Sequence, residues 1–138
     1  MAMVTREMVG AVAVVRMDDG KENRVNAGTL AEIRGELAAL EADPAVGSVV
    51  LAGGGEKFFC NGLDLPWMLA QNRPTLEGFL RDVGALLKET VMFAKPLIAA
   101  INGHAFGLGS IWACAADFRM VRADRGFVCF PEFDVNVP

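Results

Sequence analysis

Apolar residues in this 138-residue chain follow two habits: short unbroken runs, and longer stretches in which they recur every three or four positions. Short β-branched runs fit strands, and the three-to-four spacing fits helices with one face against a core. Residues 9–17 predict a strand that closes on Asp18, Asp19 and Gly20, which is turn chemistry. Asn26 then stands where an N-cap belongs, ahead of Leu30, Ile33, Leu37 and Leu40 at helical spacing, and Asp43-Pro44 stops that helix. Residues 46–52 predict another strand, Gly53-Gly54-Gly55 a loop, and residues 58–65 a helix start. From 74 to 94 the spacing predicts a long helix with Leu76, Phe79, Leu80, Val83, Leu86, Leu87 and Val91 on one broad face, ended by Lys95-Pro96. The wholly apolar residues 97–101 fit a strand covered on both faces. A glycine-rich turn over 102–109, a helix from Ser110 to about Ala116, and strands over 117–121 and 126–130 complete the pattern. Strands alternating with helices predict an α/β architecture, and no repeat or linker divides residues 1–138, which read as one domain.

Composition narrows the classes of function. The chain is 53% apolar and 22% charged, the balance of a globular protein rather than a solvating one. Thirteen basic against 17 acidic residues, with no block of like charge, argue against a nucleic-acid partner, although backbone N–H groups at a helix start can still hold a small anion. No run approaches the length of a membrane span and no signal-peptide core is present, so a soluble cytoplasmic protein is expected. Cys60, Cys114 and Cys129 are odd in number, widely spaced and accompanied by one histidine, which predicts reduced thiols and no metal centre.

His104 is the single imidazole, lies in the glycine-rich turn and has no GxSxG elbow to serve, so it reads as a structural or surface group more readily than as a base. Gly53-Gly54-Gly55-Glu56-Lys57 lacks the spacing and the Ser or Thr of a phosphate loop. Gly103, Gly107 and Gly109 lack the order of a dinucleotide fingerprint. Two glycine-containing turns remain, Asn61-Gly62-Leu63 and Gly107-Leu108-Gly109, each between a predicted strand and a predicted helix. Such turns aim backbone N–H groups outward; face to face they would form an oxyanion hole, while from spacing alone they read more readily as tight packing turns.

Residues 58–65, Phe-Phe-Cys-Asn-Gly-Leu-Asp-Leu, resemble the F-[SC]-x-G-x-D-L pattern of the crotonase family. Residues 95–105, beginning Lys95-Pro96 and ending Gly103-His104-Ala105, resemble its K-P-x-I-A-A-[IV]-x-G-x-A stretch. Arg24-Val25-Asn26-Ala27 and Ala116-Asp117-Phe118-Arg119 fit in order as well. The resemblance implies a crotonase-like spiral of repeated β-β-α units. It also implies an acyl-coenzyme A thioester as substrate, with coenzyme A part of that substrate and no separate cofactor. It places the two oxyanion-hole donors at the backbone N–H groups of Leu63 and Leu108, and substrate contacts at Arg24, Asn61, Gly62, Asp64, Leu65, Gly107 and Ile111. Members of the family continue into C-terminal helices that complete the acyl pocket and build trimers or hexamers. The chain is therefore expected to be the N-terminal, site-bearing part of a longer protein that forms a homotrimer or hexamer.

Two departures bear on the reaction. Leu108 replaces the middle glycine of a usual triplet, and Ile111 occupies the position of the first glutamate of the family's hydratases. The second glutamate belongs to a [PS]-E-x-x-x-G-x-P stretch, which Pro131-Glu132 and the residues after it resemble, with Asn136 for the glycine and Asp134 in a supporting place. As an isolated residue Glu132 reads as a solvated carboxylate; its place in the motif makes it the expected base. Together with Trp67 and Asp124-Arg125-Gly126, these features are similar to the single-glutamate Δ3,Δ2-enoyl-CoA isomerase branch. One base suffices to move a double bond from the 3- to the 2-position, whereas family hydratases share water activation between two carboxylates. The alternatives are hydration or another crotonase chemistry, and a non-catalytic acyl-CoA binding subunit.

Overall fold

Most of the β-branched runs form strands, but the first of them is broken. In the computed structural model, which describes residues 3–132, Gly10 and Ala11 turn the chain between β1 (Val4–Val9) and β2 (Val12–Met17), which pair antiparallel. Gly10 has φ +59°, the left-handed value that a two-residue hairpin takes at its first central position. The single strand expected over 9–17 is thus the second arm of a hairpin. β1 lacks apolar alternation and exposes nearly all its residues, so spacing carried no sign of it.

α1 (Ala27–Ala42) starts as expected: the Asn26 carboxamide oxygen accepts from Gly28 N (3.0 Å) and Thr29 N (3.1 Å). Leu30, Ile33, Leu37 and Leu40 are buried along one face. Its far end is closed from a distance, because Lys95 Nζ donates to the carbonyls of Leu40 (2.7 Å) and Asp43 (2.5 Å).

The remaining elements are β3 (Ser48–Gly53), β4 (Phe58–Cys60), α2 (Leu65–Leu69), α3 (Arg73–Val91), β5 (Leu97–Ile101), β6 (His104–Phe106), α4 (Leu108–Ala115), β7 (Phe118–Val121) and β8 (Val128–Cys129). Among the described residues they form two sheets, one ordered β1-β2-β3-β5-β7 and one ordered β4-β6-β8, parallel except for the first hairpin. Each of the three successive strand pairs gives its first strand to the larger sheet and its second to the smaller. A helical segment follows the first two pairs, and the chain advances one strand position per repeat in both sheets, which is the β-β-α spiral.

Between the sheets and helices, Val49, Leu51, Leu97 and Ala99 meet Leu30, Ile33 and Trp112 in a single apolar cluster. The buried Trp112 indole donates to Thr90 Oγ1 (2.8 Å), which in turn donates to the Leu86 carbonyl (2.8 Å), so α4 is tied to α3 without an unsatisfied donor. β5 buries Leu97, Ala99 and Ile101 and only half-buries Ile98 and Ala100, so its second face is less covered than a fully apolar run implies. α3 is capped by Asn72, whose side-chain oxygen accepts from Thr75 N (3.0 Å), and it leaves Leu80 and Val91 exposed on the face expected to be buried. α4 starts at Leu108, two residues before the predicted Ser110, and this earlier start matters for the site.

Candidate active site

Two turns lead from the small sheet into helices. The first runs from the end of β4 through Asn61 to Asp64 into α2, where the Asp64 carboxylate accepts from Trp67 N (3.2 Å) as the N-cap. Gly62 sits at φ +84°. Its carbonyl accepts from Val25 N (2.8 Å), and Asp64 N donates to the Val25 carbonyl (2.9 Å). In this parallel bridge Val25 uses the residues on either side of Leu63, so the Leu63 N–H faces away from Val25. It has no acceptor among the described residues.

The second turn runs from β6 through Gly107 into α4. Gly107 has φ +51° and ψ −121°, which a side chain would strain. Leu108 is the first helical residue, so its N–H has no partner one turn back, and none elsewhere among the described residues.

The turns touch. A Cβ on Gly62 would stand 2.8 Å from the Phe106 carbonyl oxygen and 3.5 Å from Leu108 N, and one on Gly109 would stand 2.3 Å from the Cys60 carbonyl oxygen. The glycines are therefore required by backbone packed on backbone, in addition to any close approach of a ligand. A Cβ on Gly107 would lie 3.3 Å from Glu132 Oε1, so the half-buried carboxylate stands directly over the second turn. Two unpartnered backbone donors in adjoining turns, with a carboxylate over one of them, can hold negative charge on an oxygen and exchange a proton beside it.

The other predicted contact residues divide. Arg24 pairs with Glu22 (2.5 Å), and Glu22 also accepts from Asn61 Nδ2 (3.0 Å), so Arg24 and Asn61 are brought together at the mouth of the first turn through a carboxylate that no motif pointed to. Asp64 is engaged in its cap and lies 3.4 Å from Asn26 Nδ2. Leu65 is exposed on α2, and Ile111 is half-buried on α4, its N–H bonded to the Gly107 carbonyl (3.0 Å). Asp134 and Asn136 lie outside the described residues.

His104 belongs to β6 rather than to a turn. Its ring stacks on Phe106 and Phe127, with centroids 5.4 Å away in each case. The Gly53 to Gly55 run is a turn clasped by Asn102, whose side chain bonds the N–H and carbonyl of Gly53 and the carbonyl of Gly55. The three cysteines are free; Cys60 is fully buried, and burial pushes its thiol up to about 12. Among the described residues no group of three or more His, Cys, Asp or Glu side chains could hold a metal, and no helix is long and apolar enough to cross a membrane.

The same arrangement of elements recurs in known proteins. The chain is 30% identical to the peroxisomal enoyl-CoA delta isomerase 1 of Arabidopsis thaliana over 137 residues, covering 98% of this chain and 56% of that protein. It is 35% identical to a carnitinyl-CoA dehydratase of Citrobacter koseri over 128 residues, covering 93% of this chain and 48% of the other. The solved structure of Pseudomonas aeruginosa DspI superposes with a TM-score of 0.90 at 27% identity, over all of this chain and 52% of that one. The chain thus spans about half the length of the relatives it matches. With residues 7–132 matched by the model for enoyl-CoA hydratase/isomerase, the chain belongs to that family.

Proposed function

We propose that this chain carries the reacting centre of an enoyl-CoA isomerase, which moves the double bond of an acyl-coenzyme A thioester from the 3- to the 2-position. The thioester carbonyl is held between the N–H groups of Leu63 and Leu108. Glu132 removes a proton from C2, the electrons shift to leave a dienolate whose oxygen the two donors stabilise, and the same carboxyl returns the proton at C4. The carrying observation is that Glu132 stands over Gly107 while the half-buried Ile111 offers no second carboxylate from α4. The reaction is balanced within the substrate and needs no cofactor. Arg24 and Asn61, beside the first turn, belong to the coenzyme A side of the site. The rest of the acyl pocket comes from polypeptide beyond the half that this chain matches, in a trimer or hexamer.

The resemblance to a carnitinyl-CoA dehydratase favours, as a second reading, addition or removal of water on the same enolate. Product analysis separates the two. With 3-enoyl-CoA, 2-enoyl-CoA is expected to accumulate; with 2-enoyl-CoA, little 3-hydroxyacyl-CoA should form. Glu132→Gln is expected to retain thioester binding and lose turnover by about 10²-fold or more. Rapid hydration would select the second reading, and full isomerisation by Glu132→Gln would remove that residue from the reaction.

A further inference from the structure

The two parts of the second turn's site, the Leu108 N–H and Glu132, come from different elements and must be held at a set spacing. Leu108 opens α4, whereas Glu132 follows β8 by three residues. Between them lies one fully buried hydroxyl, Ser110, in the first turn of α4. Its Oγ lies 2.6 Å from the Ala105 carbonyl oxygen on β6, 2.8 Å from the Cys129 carbonyl oxygen on β8, and 3.2 Å from Cys129 N.

A hydroxyl has one proton to give, and the shorter contact identifies Ala105 as its acceptor. Oγ then accepts from Cys129 N–H. The Cys129 carbonyl is not left unpaired, because Gly107 N donates to it (3.1 Å). A closed circuit results: Ser110 gives to β6, β8 gives to Ser110, and Gly107, the residue before the Leu108 donor, gives to β8. Ser110 is fully buried and Gly107 and Cys129 are half-buried, so the hydroxyl depends on these backbone groups for its partners.

We infer that Ser110 is a positioning residue for the proposed reaction: through the circuit with Gly107 and Cys129 it sets the spacing between the Leu108 N–H and the Glu132 carboxylate. The inference rests on the isomerase reading only for its consequence in turnover. The circuit has a signature of its own, the protection of the Gly107 and Cys129 amides.

The test compares Ser110→Ala, which removes the hydroxyl, with Ser110→Thr, which keeps it. Ala113→Gly, a buried change one turn further along α4, controls for general loss of stability. Amide hydrogen exchange at Gly107 and Cys129 is measured relative to that of Leu51 in the large sheet, and kcat and KM are measured with 3-enoyl-CoA. In Ser110→Ala the exchange ratio is expected to rise about tenfold while kcat falls by a similar factor or more and KM changes little, since misplaced reacting groups cost rate before binding. Ser110→Thr should recover much of both, and Ala113→Gly should leave both near their starting values whatever its melting temperature. An unchanged exchange ratio in Ser110→Ala overturns the inference. So does an unchanged kcat in that variant when Glu132→Gln abolishes turnover, an outcome that leaves the isomerase reading intact. If the unsubstituted protein turns over no 3-enoyl-CoA, the isomerase reading fails, and the exchange ratio alone decides whether Ser110 sets the spacing.

Discussion

The two turns present the same feature, a backbone N–H with no acceptor among the described residues, yet they are built by different means. At the first turn the donor is freed by a strand-like bridge: Val25 occupies the groups on either side of Leu63 and leaves its N–H facing the other way. A charged side chain, Asp64, caps the helix that follows. At the second turn the donor has no helical partner because a helix begins there, and no side chain among the described residues caps α4. Its support comes from behind, through Ser110 and β8. The first turn is braced by backbone on backbone, whereas the second faces a carboxylate that can move. Substitutions at the first should therefore be felt mainly as stability, and substitutions at the second mainly as activity.

Alanine at the two glycines breaks or sharpens that contrast most directly. Gly62→Ala combines a left-handed φ with a Cβ placed 2.8 Å from a carbonyl oxygen, neither of which relaxes locally. A loss of about 2–4 kcal/mol is expected in urea unfolding. Gly107→Ala shares the strain, about 1–3 kcal/mol, but its Cβ meets only the end of the Glu132 side chain. It should lose activity well beyond its loss of stability. Equal stability losses with equal activity losses would show that the two turns are not distinct in kind.

A smaller effect is expected from Cys60, which ends β4 just before the first turn and is fully buried, while Cys129 behind the second turn is half-buried. The Cys60 thiol is pushed up to about 12 by burial, from an ordinary value of 9.0. The folded state therefore holds this proton more tightly than the unfolded chain. Its contribution is fully present below about pH 9 and is lost as the pH rises toward 12. Unfolding at pH 8 and pH 10.5 should differ by roughly 2 kcal/mol, and Cys60→Ser should flatten that slope. Alkylation of the folded protein at pH 8 should modify the exposed Cys114 well before Cys60. Early modification of Cys60 would mean that the base of the first turn is open to water.

The smallest effect concerns Asp64. Its removal as Asp64→Ala takes away one cap on a five-residue helix and should cost about 1 kcal/mol in unfolding, with Asp64→Asn costing less. An activity loss far larger than this, seen in Asp64→Asn as well, would point to direct contact of the carboxylate with substrate.

Where sequence spacing succeeded, a local cause was written into neighbouring residues. The Asn26 cap, the apolar face of α1, the β3 run and the helix after Asp64 each depend on groups within a few positions, so their pattern survives in one dimension. β1 escaped because an exposed edge strand has no buried face to impose alternation. The start of α4 was displaced because glycine on both sides of Leu108 weakens any helical signal, although the fold begins the helix at Leu108.

What this amino-acid sequence determined by itself was the order of the helices and of β2, β3, β5, β7 and β8 but not the short β4 and β6, the glycines at two strand-to-helix turns, and a family motif that singled out Leu63, Leu108 and Glu132. Tertiary structure alone decided that the two turns touch, that Glu132 stands over Gly107 rather than in solvent, and that Glu22 joins Arg24 to Asn61. The reason is separation along the chain. Gly62 and Leu108 are neighbours only because successive repeats lay β4, β6 and β8 side by side, and no pattern of nearby residues records a contact made between turns of a spiral.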